Sequence, residues 1–188
     1  MLVLLSSFVV VALAEMGDKT QLIAFALASR FRRGWVVMLG ILIATLVNHG
    51  LASSLGVLIA SQVPETALKW GLALGFLAFG VWTLFPDRIT APQGRQRWGP
   101  LATTIVVFFL AEMGDKTQLA TVALGARFRA PVAVTIGTTL GMLAADGLAV
   151  LAGARLAHLV PMRLMRALAA ALFFAFGLAA IASAWMAG

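Results

Sequence analysis

Leu13-Ala14-Glu15-Met16-Gly17-Asp18-Lys19-Thr20-Gln21-Leu22 is followed, 97 positions later, by the same ten residues at Leu110–Leu119, each copy inside an apolar stretch. Such a repeat within 188 residues marks a chain built from two copies of one half. It also places Glu15, Asp18 and Lys19, with Glu112, Asp115 and Lys116, at the depth of a lipid bilayer. A charge there costs about 2.5–3.5 kcal/mol on the lenient insertion scale and is normally kept for a function.

The repeat extends past the motif. Arg30-Phe31-Arg32 matches Arg127-Phe128-Arg129, and Gly40, Gly50 and Gly56 match Gly137, Gly147 and Gly153. Pro64 matches Pro161, and Phe79-Gly80 matches Phe176-Gly177. Six stretches are long and apolar enough to span, at about 2–28, 35–60, 66–85, 101–125, 132–157 and 165–187. The expected fold is therefore an all-α integral membrane protein of six transmembrane helices. Residues 1–85 form one three-helix repeat, 101–188 the second, and the Pro-, Gly- and Arg-rich stretch 86–100 a cytoplasmic linker. Because three is odd, the second half enters the membrane from the opposite side, giving two inverted repeats.

Composition agrees with this reading. Hydrophobic residues are 62% and charged residues 11% of the chain, against roughly 45–50% and 25% in soluble domains. The +7 net charge is carried by short loops between apolar segments, which fits membrane orientation and argues against nucleic acid. Nine arginines (30, 32, 33, 88, 95, 97, 155, 163 and 166) lie on one face, against Lys69, Arg127 and Arg129 on the other. The first face is expected in the cytoplasm, with both termini extracytoplasmic. The first 14 residues lack a basic region and a cleavage site, so a cleaved signal peptide is not expected. Trp35, Trp70, Trp82, Trp98 and Trp185 fall near span ends and read as interfacial anchors.

Read as a continuous helix, each motif puts Glu15 with Asp18, and Glu112 with Asp115, on one face, with Lys19 or Lys116 within reach of the glutamate. Gln21 and Gln118 extend the polar stripe, Thr20 and Thr117 offer neutral oxygens, and Gly17 and Gly114 serve close helix packing. If the motif helices cross, four carboxylates meet two ammonium groups, a net charge of −2 that one divalent cation neutralises. Crowded buried acids without the ion take up protons, so proton and metal compete for the same oxygens. With no cysteine, the site favours hard cations (calcium, magnesium or manganese) over zinc or copper(I). The purely structural reading is that each half makes internal Glu–Lys and Asp–Lys pairs; two copies kept identical while their flanks diverged weigh against it.

The halves differ at Asn48 and His49, opposite Ala145 and Asp146. Asp146 is read evenly as an added ligand or proton carrier, or as a helix-packing hydrogen-bond partner. His49 is expected to be a packing donor, and His158 to be interfacial near Pro161. Enzyme signatures are missing: there is no His-Glu-x-x-His, no Gly-x-Ser-x-Gly and no cysteine.

Two copies of Glu-x-Gly-Asp-Lys/Arg-Thr/Ser in a six-span chain resemble the manganese/calcium transporter family that includes human transmembrane protein 165 and its yeast and bacterial relatives. The resemblance rests on Glu15–Thr20 and Glu112–Thr117 and covers essentially the whole chain. It implies cation export coupled to proton entry at the inner (plasma) membrane, with Mn(II) the ion and Ca(II) a second candidate. It further implies that Glu15, Asp18, Glu112 and Asp115 form the cation site, supported by Lys19, Lys116, Thr20, Thr117, Gln21, Gln118, Asn48 and Asp146. The partners are then a divalent cation, protons and the bilayer, with a homodimer as the candidate assembly and no permanently bound cofactor. One departure is Asp146, where the family pattern leads us to expect an amide. A passive cation channel and a non-transporting membrane protein with structural motifs are the competing classes.

Overall fold

In the computed structural model the described residues are 1–85, 98–157 and 162–185, without the side chains of 152–157 and 162; they are helical, with no strand among them. The helices run α1 (Leu2–Glu15), α2 (Lys19–Phe31), α3 (Gly34–Gln62), α4 (Glu65–Thr83), α5 (Pro100–Glu112), α6 (Lys116–Phe128), α7 (Pro131–Ala157) and α8 (Met162–Trp185). The expected linker falls mostly on residues 86–97, and His158 with Pro161 on 158–161; both lie outside the described residues.

The expected continuous spans at 2–28 and 101–125 are each two helices, broken at the motif. Met16 (φ −64°, ψ 112°) precedes Gly17 at φ +85°, and the Asp18 N–H donates to the Glu15 carbonyl at 3.0 Å. Met113 (φ −65°, ψ 121°), Gly114 (φ +74°) and an Asp115-to-Glu112 bond of 3.2 Å repeat the arrangement. Each is a type II turn, whose third residue needs a positive φ and hence glycine. The glycines therefore set the backbone rather than helix packing, and a Cβ at Gly114 would meet nothing within 4 Å. Gly114→Ala should accordingly lose about 1–2 kcal/mol by backbone strain alone, with Gly114→Asn milder. Thermal unfolding in detergent checks this, and an unchanged Tm would refute the turn.

Helices α3 (29 residues) and α7 (27 residues) are central and pack on each other, while α4 pairs with α8. The short helices pack chiefly on the other half: α1 on α7, α5 on α3, α6 on α3 and α2 on α7. Contacts recur in pairs offset by 97 residues. A Cβ on Gly40 would meet Thr104, and one on Gly137 would meet the equivalent Ser7. Ring centroids of Phe76 and Phe176 are 5.5 Å apart, and those of the equivalent Phe173 and Phe79 are 5.9 Å apart. Contacts between the two halves thus come in pairs related by the 97-residue offset.

Polarity is distributed inside out. Leu51, Leu58, Leu74, Leu110 and Leu178 are each more than half exposed, whereas Ser7, Thr45, Thr103, Thr121, Thr138 and the motif acids are buried. Among the described residues four helices, α3, α4, α7 and α8, are long and apolar enough to cross a membrane. The broad apolar exterior is what a lipid-facing surface requires.

Candidate functional site

The two turns stand where α1 and α5 end and α2 and α6 begin. Glu15 and Glu112 are the last residues of their helices, 0% and 1% exposed. Each accepts a hydrogen bond across its own turn: Thr20 Oγ1 donates to Glu15 Oε2 at 2.7 Å, and Thr117 Oγ1 to Glu112 Oε2 at 2.9 Å. The remaining oxygen, Oε1, has no hydrogen-bond partner in either glutamate. The two carboxylates are near enough to act on each other electrostatically, and Glu15 also feels Asp115.

The aspartates stand at the N-caps of α2 and α6. Asp115 caps with its side chain, accepting from the Lys116 N–H at 2.7 Å; Asp18 makes no such bond. The internal Glu–Lys and Asp–Lys pairs of the purely structural reading are not what forms, because the turn redirects the chain between Glu15 and Lys19. The lysines cross between halves instead. Lys19 Nζ lies 2.8 Å from Asp115 Oδ2, and Lys116 Nζ lies 3.1 Å from Asp18 Oδ1. The exchange is reciprocal but unequal in burial: the Lys116 side chain is 3% exposed and that of Lys19 23%.

Gln21 and Gln118 do not extend a stripe along a helix; each folds back onto its turn. The Gly17 N–H donates to Gln21 Oε1 at 2.9 Å, and the Gly114 N–H to Gln118 Oε1 at 2.7 Å. Their amide nitrogens then reach the opposite half, Gln21 to the Ala145 carbonyl at 2.8 Å and Gln118 to the Asn48 side chain. Here the sequence difference is visible as chemistry. Position 48 offers an amide and its counterpart, Ala145, only backbone.

Asp146 is fully buried, with neither carboxylate oxygen hydrogen-bonded, so the helix-packing bond considered for it is not made. It lies close enough to Glu15 and Asp18 to interact electrostatically with both. His49, expected to be a packing donor, is likewise buried with both ring nitrogens unpartnered.

The acids are gathered but not closed into a cage. Among the described residues no three His, Cys, Asp or Glu side chains are grouped tightly enough to hold a metal ion as they stand. The cross-half lysines account for this, since each holds one aspartate in an ion pair. Two further features favour a cation. The ends of α1 and α5 present the negative pole of a helix dipole, and a broken span frees backbone carbonyls. By the same dipoles, Lys19 and Lys116 sit unfavourably in the first turns of α2 and α6.

Comparison with known proteins adds an independent line. The family profile described as "Divalent cation/proton antiporter GDT1" matches residues 3–91 and 100–188. The "Putative manganese exporter" of Vibrio cholerae is 44% identical over 180 residues, covering 95% of this chain and 90% of that protein. A GDT1-like protein of Synechocystis is 28% identical over 205 residues, covering 96% and 95%. GDT1-like protein 3 of Oryza sativa subsp. japonica is 27% identical over 200 residues, covering 92% of this chain and 71% of that protein. No solved structure matches the chain.

Proposed function

The chain belongs to the GDT1 family of divalent cation/proton antiporters, a transporter family rather than an enzyme class, and on that premise we propose that it exports Mn(II) from the cytoplasm in exchange for entering protons. Ca(II) is the second substrate, because the donor set is oxygen alone and free of thiolate.

The observation that carries this reading is the reciprocal pairing of Lys19 with Asp115 and Lys116 with Asp18. Each half holds the other's aspartate. An arriving divalent cation displaces the two ammonium groups and gathers Asp18, Asp115, Glu15 and Glu112 around itself. Thr20 and Thr117 keep one oxygen of each glutamate fixed while the unpartnered Oε1 atoms turn to the ion. When the cation leaves, protons on the glutamates and the returning lysines restore neutrality. One set of oxygens thus serves both substrates in turn, which is what exchange requires. Gln21, Gln118 and Asn48 hold the turns in place, and Asp146 adds a further carboxyl group beside the first motif.

In the membrane the α1–α2 and α5–α6 pairs each form one interrupted span, making six spans as two inverted repeats with residues 86–100 as the cytoplasmic linker. The arginine asymmetry supports termini outside, and the likeness to a bacterial "Putative manganese exporter" supports residence in the plasma membrane.

The test is Mn(II) flux in proteoliposomes with and without an imposed proton gradient. We expect uphill movement driven by the gradient. Downhill flux indifferent to the gradient would make the protein a channel, and absence of both Mn(II) and Ca(II) flux would overturn transport of these ions.

A further inference from the structure

The crossing of α3 and α7 obeys the 97-residue symmetry in backbone but breaks it in chemistry. At one end stand His49, Ser53 and Thr135, with the Pro131 carbonyl; at the other stand their counterparts Asp146, Val150, Met38 and Gly34. At the first end Ser53 Oγ and Thr135 Oγ1 are hydrogen-bonded at 2.7 Å. Ser53 also reaches the Gly50 and Pro131 carbonyls at 3.2 and 3.3 Å, and Thr135 the His49 carbonyl at 3.5 Å. His49, one helical turn before Ser53, has two unpartnered buried ring nitrogens. Its neighbour Asn48 is bonded to Gln118, which holds the Gly114 turn.

At the opposite end the same positions carry carbon side chains, Met38 and Val150 partly buried, while Ser53 at the first end is fully buried. Met38 and Val150 pack against a cluster that includes Leu27, Val37 and Ile41. Val150 Cγ1 would lie 3.0 Å from a Cβ on Gly34, and Met38 Cε 3.4 Å from one on Gly147. These differences are written in the sequence and so belong to every conformation of the protein. A pair of hydroxyls can pass a proton, each accepting one and releasing its own; a thioether and an isopropyl group cannot.

We infer that protons reach the carboxylate cluster along the Ser53–Thr135 hydroxyls, with His49 at the inner end, and that Met38 and Val150 close the equivalent route at the other end. The entry lies where α3 finishes and α7 begins, which is the extracytoplasmic side in the orientation proposed above, and the inference rests on that reading. His49 accepts a proton at one ring nitrogen and gives it up from the other. Among the described side chains, the titratable and charged groups on the elements packed against α3 are Glu112 on α5, Lys116 and Arg127 on α6 with Asp115 at its N-cap, Lys19 and Arg30 on α2 with Asp18 at its N-cap, and Asp146 on α7.

The chain has no cysteine, so single cysteines report accessibility cleanly. Ser53→Cys, Thr135→Cys, Met38→Cys and Val150→Cys would be treated with a small cationic methanethiosulfonate in sealed right-side-out and inverted vesicles. Ser53 is fully buried in this conformation, so the route opens to water only during transport; we then expect Ser53→Cys and Thr135→Cys to react from the extracytoplasmic side about tenfold faster than either other variant from either side, since reactivity follows access to water. Equal rates at all four positions, or no reaction at Ser53→Cys and Thr135→Cys, would overturn the route whatever ion is carried. As a second reading, Ser53→Val with Thr135→Val should slow gradient-driven Mn(II) flux by about tenfold, the low end of what a proton-transfer group contributes, while Mn(II)/Mn(II) exchange and Tm hold. Loss of exchange and Tm together would reduce the hydroxyl pair to interhelical hydrogen bonding. Failure of the antiport reading would appear separately, as wild-type protein without gradient-driven flux.

Discussion

Glu15→Gln and Glu112→Gln should each lower proton-driven Mn(II) flux by about 100-fold or more, since even residues outside a metal's ligand sphere are worth 10–100-fold. Glutamine keeps the volume of the side chain and still offers Thr20 or Thr117 an oxygen to bond, so the fold is retained. What is lost is a charge that can be exchanged between proton and metal. On the proposal that the two glutamates act on the same ion, the double variant should be no worse than either single one, as for residues acting as a unit. Flux in proteoliposomes, beside thermal unfolding of the same preparations, makes the measurement. Single variants that keep flux within a few-fold of wild type would remove the glutamates from the site. Losses that multiply in the double variant would assign them to two independent sites.

The second large effect concerns stability. Lys116→Met leaves Asp18 buried without its lysine, and breaking a buried pair on one side costs about 3–5 kcal/mol. The pair is tight and dry, with side chains 3% and 1% exposed. Lys19→Met should cost distinctly less, because Lys19 is 23% exposed and water already screens its pairing with Asp115. Combining Lys116→Met with Asp18→Asn removes both charges and should recover most of the lost stability without recovering transport. The check is the Tm of the four proteins in detergent together with their flux. A Tm for Lys116→Met equal to wild type would refute the pairing, and transport by the double variant would show that Asp18 does not hold the ion.

Much of this architecture is legible before any coordinates. The duplication, the helical class and the clustering of six charged groups follow from apolar stretches and one repeated decapeptide. The break within the motif is not legible from hydrophobicity, because Ala-Glu-Met-Gly sits inside an unbroken apolar run and a glycine there reads as a packing residue. A subtler signal was present. Gly17 followed by Asp18 and, three residues on, Gln21 is the punctuation of one helix ending and another beginning, with aspartate as N-cap and glutamine in the capping-box position. Here the glutamine bonds the glycine N–H rather than that of the cap. The destination of the lysines was beyond sequence reasoning, since spacings of three and four argue for partners on the same helix and only the turn sends them across. The same holds for His49: a buried histidine is ordinarily a satisfied one, and nothing in the residues around it announces two unpartnered nitrogens.

The reciprocal contacts have a further consequence for ancestry. Lys19 meeting Asp115 and Lys116 meeting Asp18 need nothing that a single half lacks, and neither do Thr20 with Glu15 or Gln21 with its own turn. One three-span polypeptide, inserted in both orientations and dimerising antiparallel, would build the same catch. On the inverted-repeat reading, fusion of two such genes would release the copies from having to be identical. The motif stayed locked because each copy is the other's counterpart. Drift collected along α3 and α7, at 48 and 145, 49 and 146, and 53 and 150. A symmetric ancestor has no intrinsic direction; a fused descendant can acquire one.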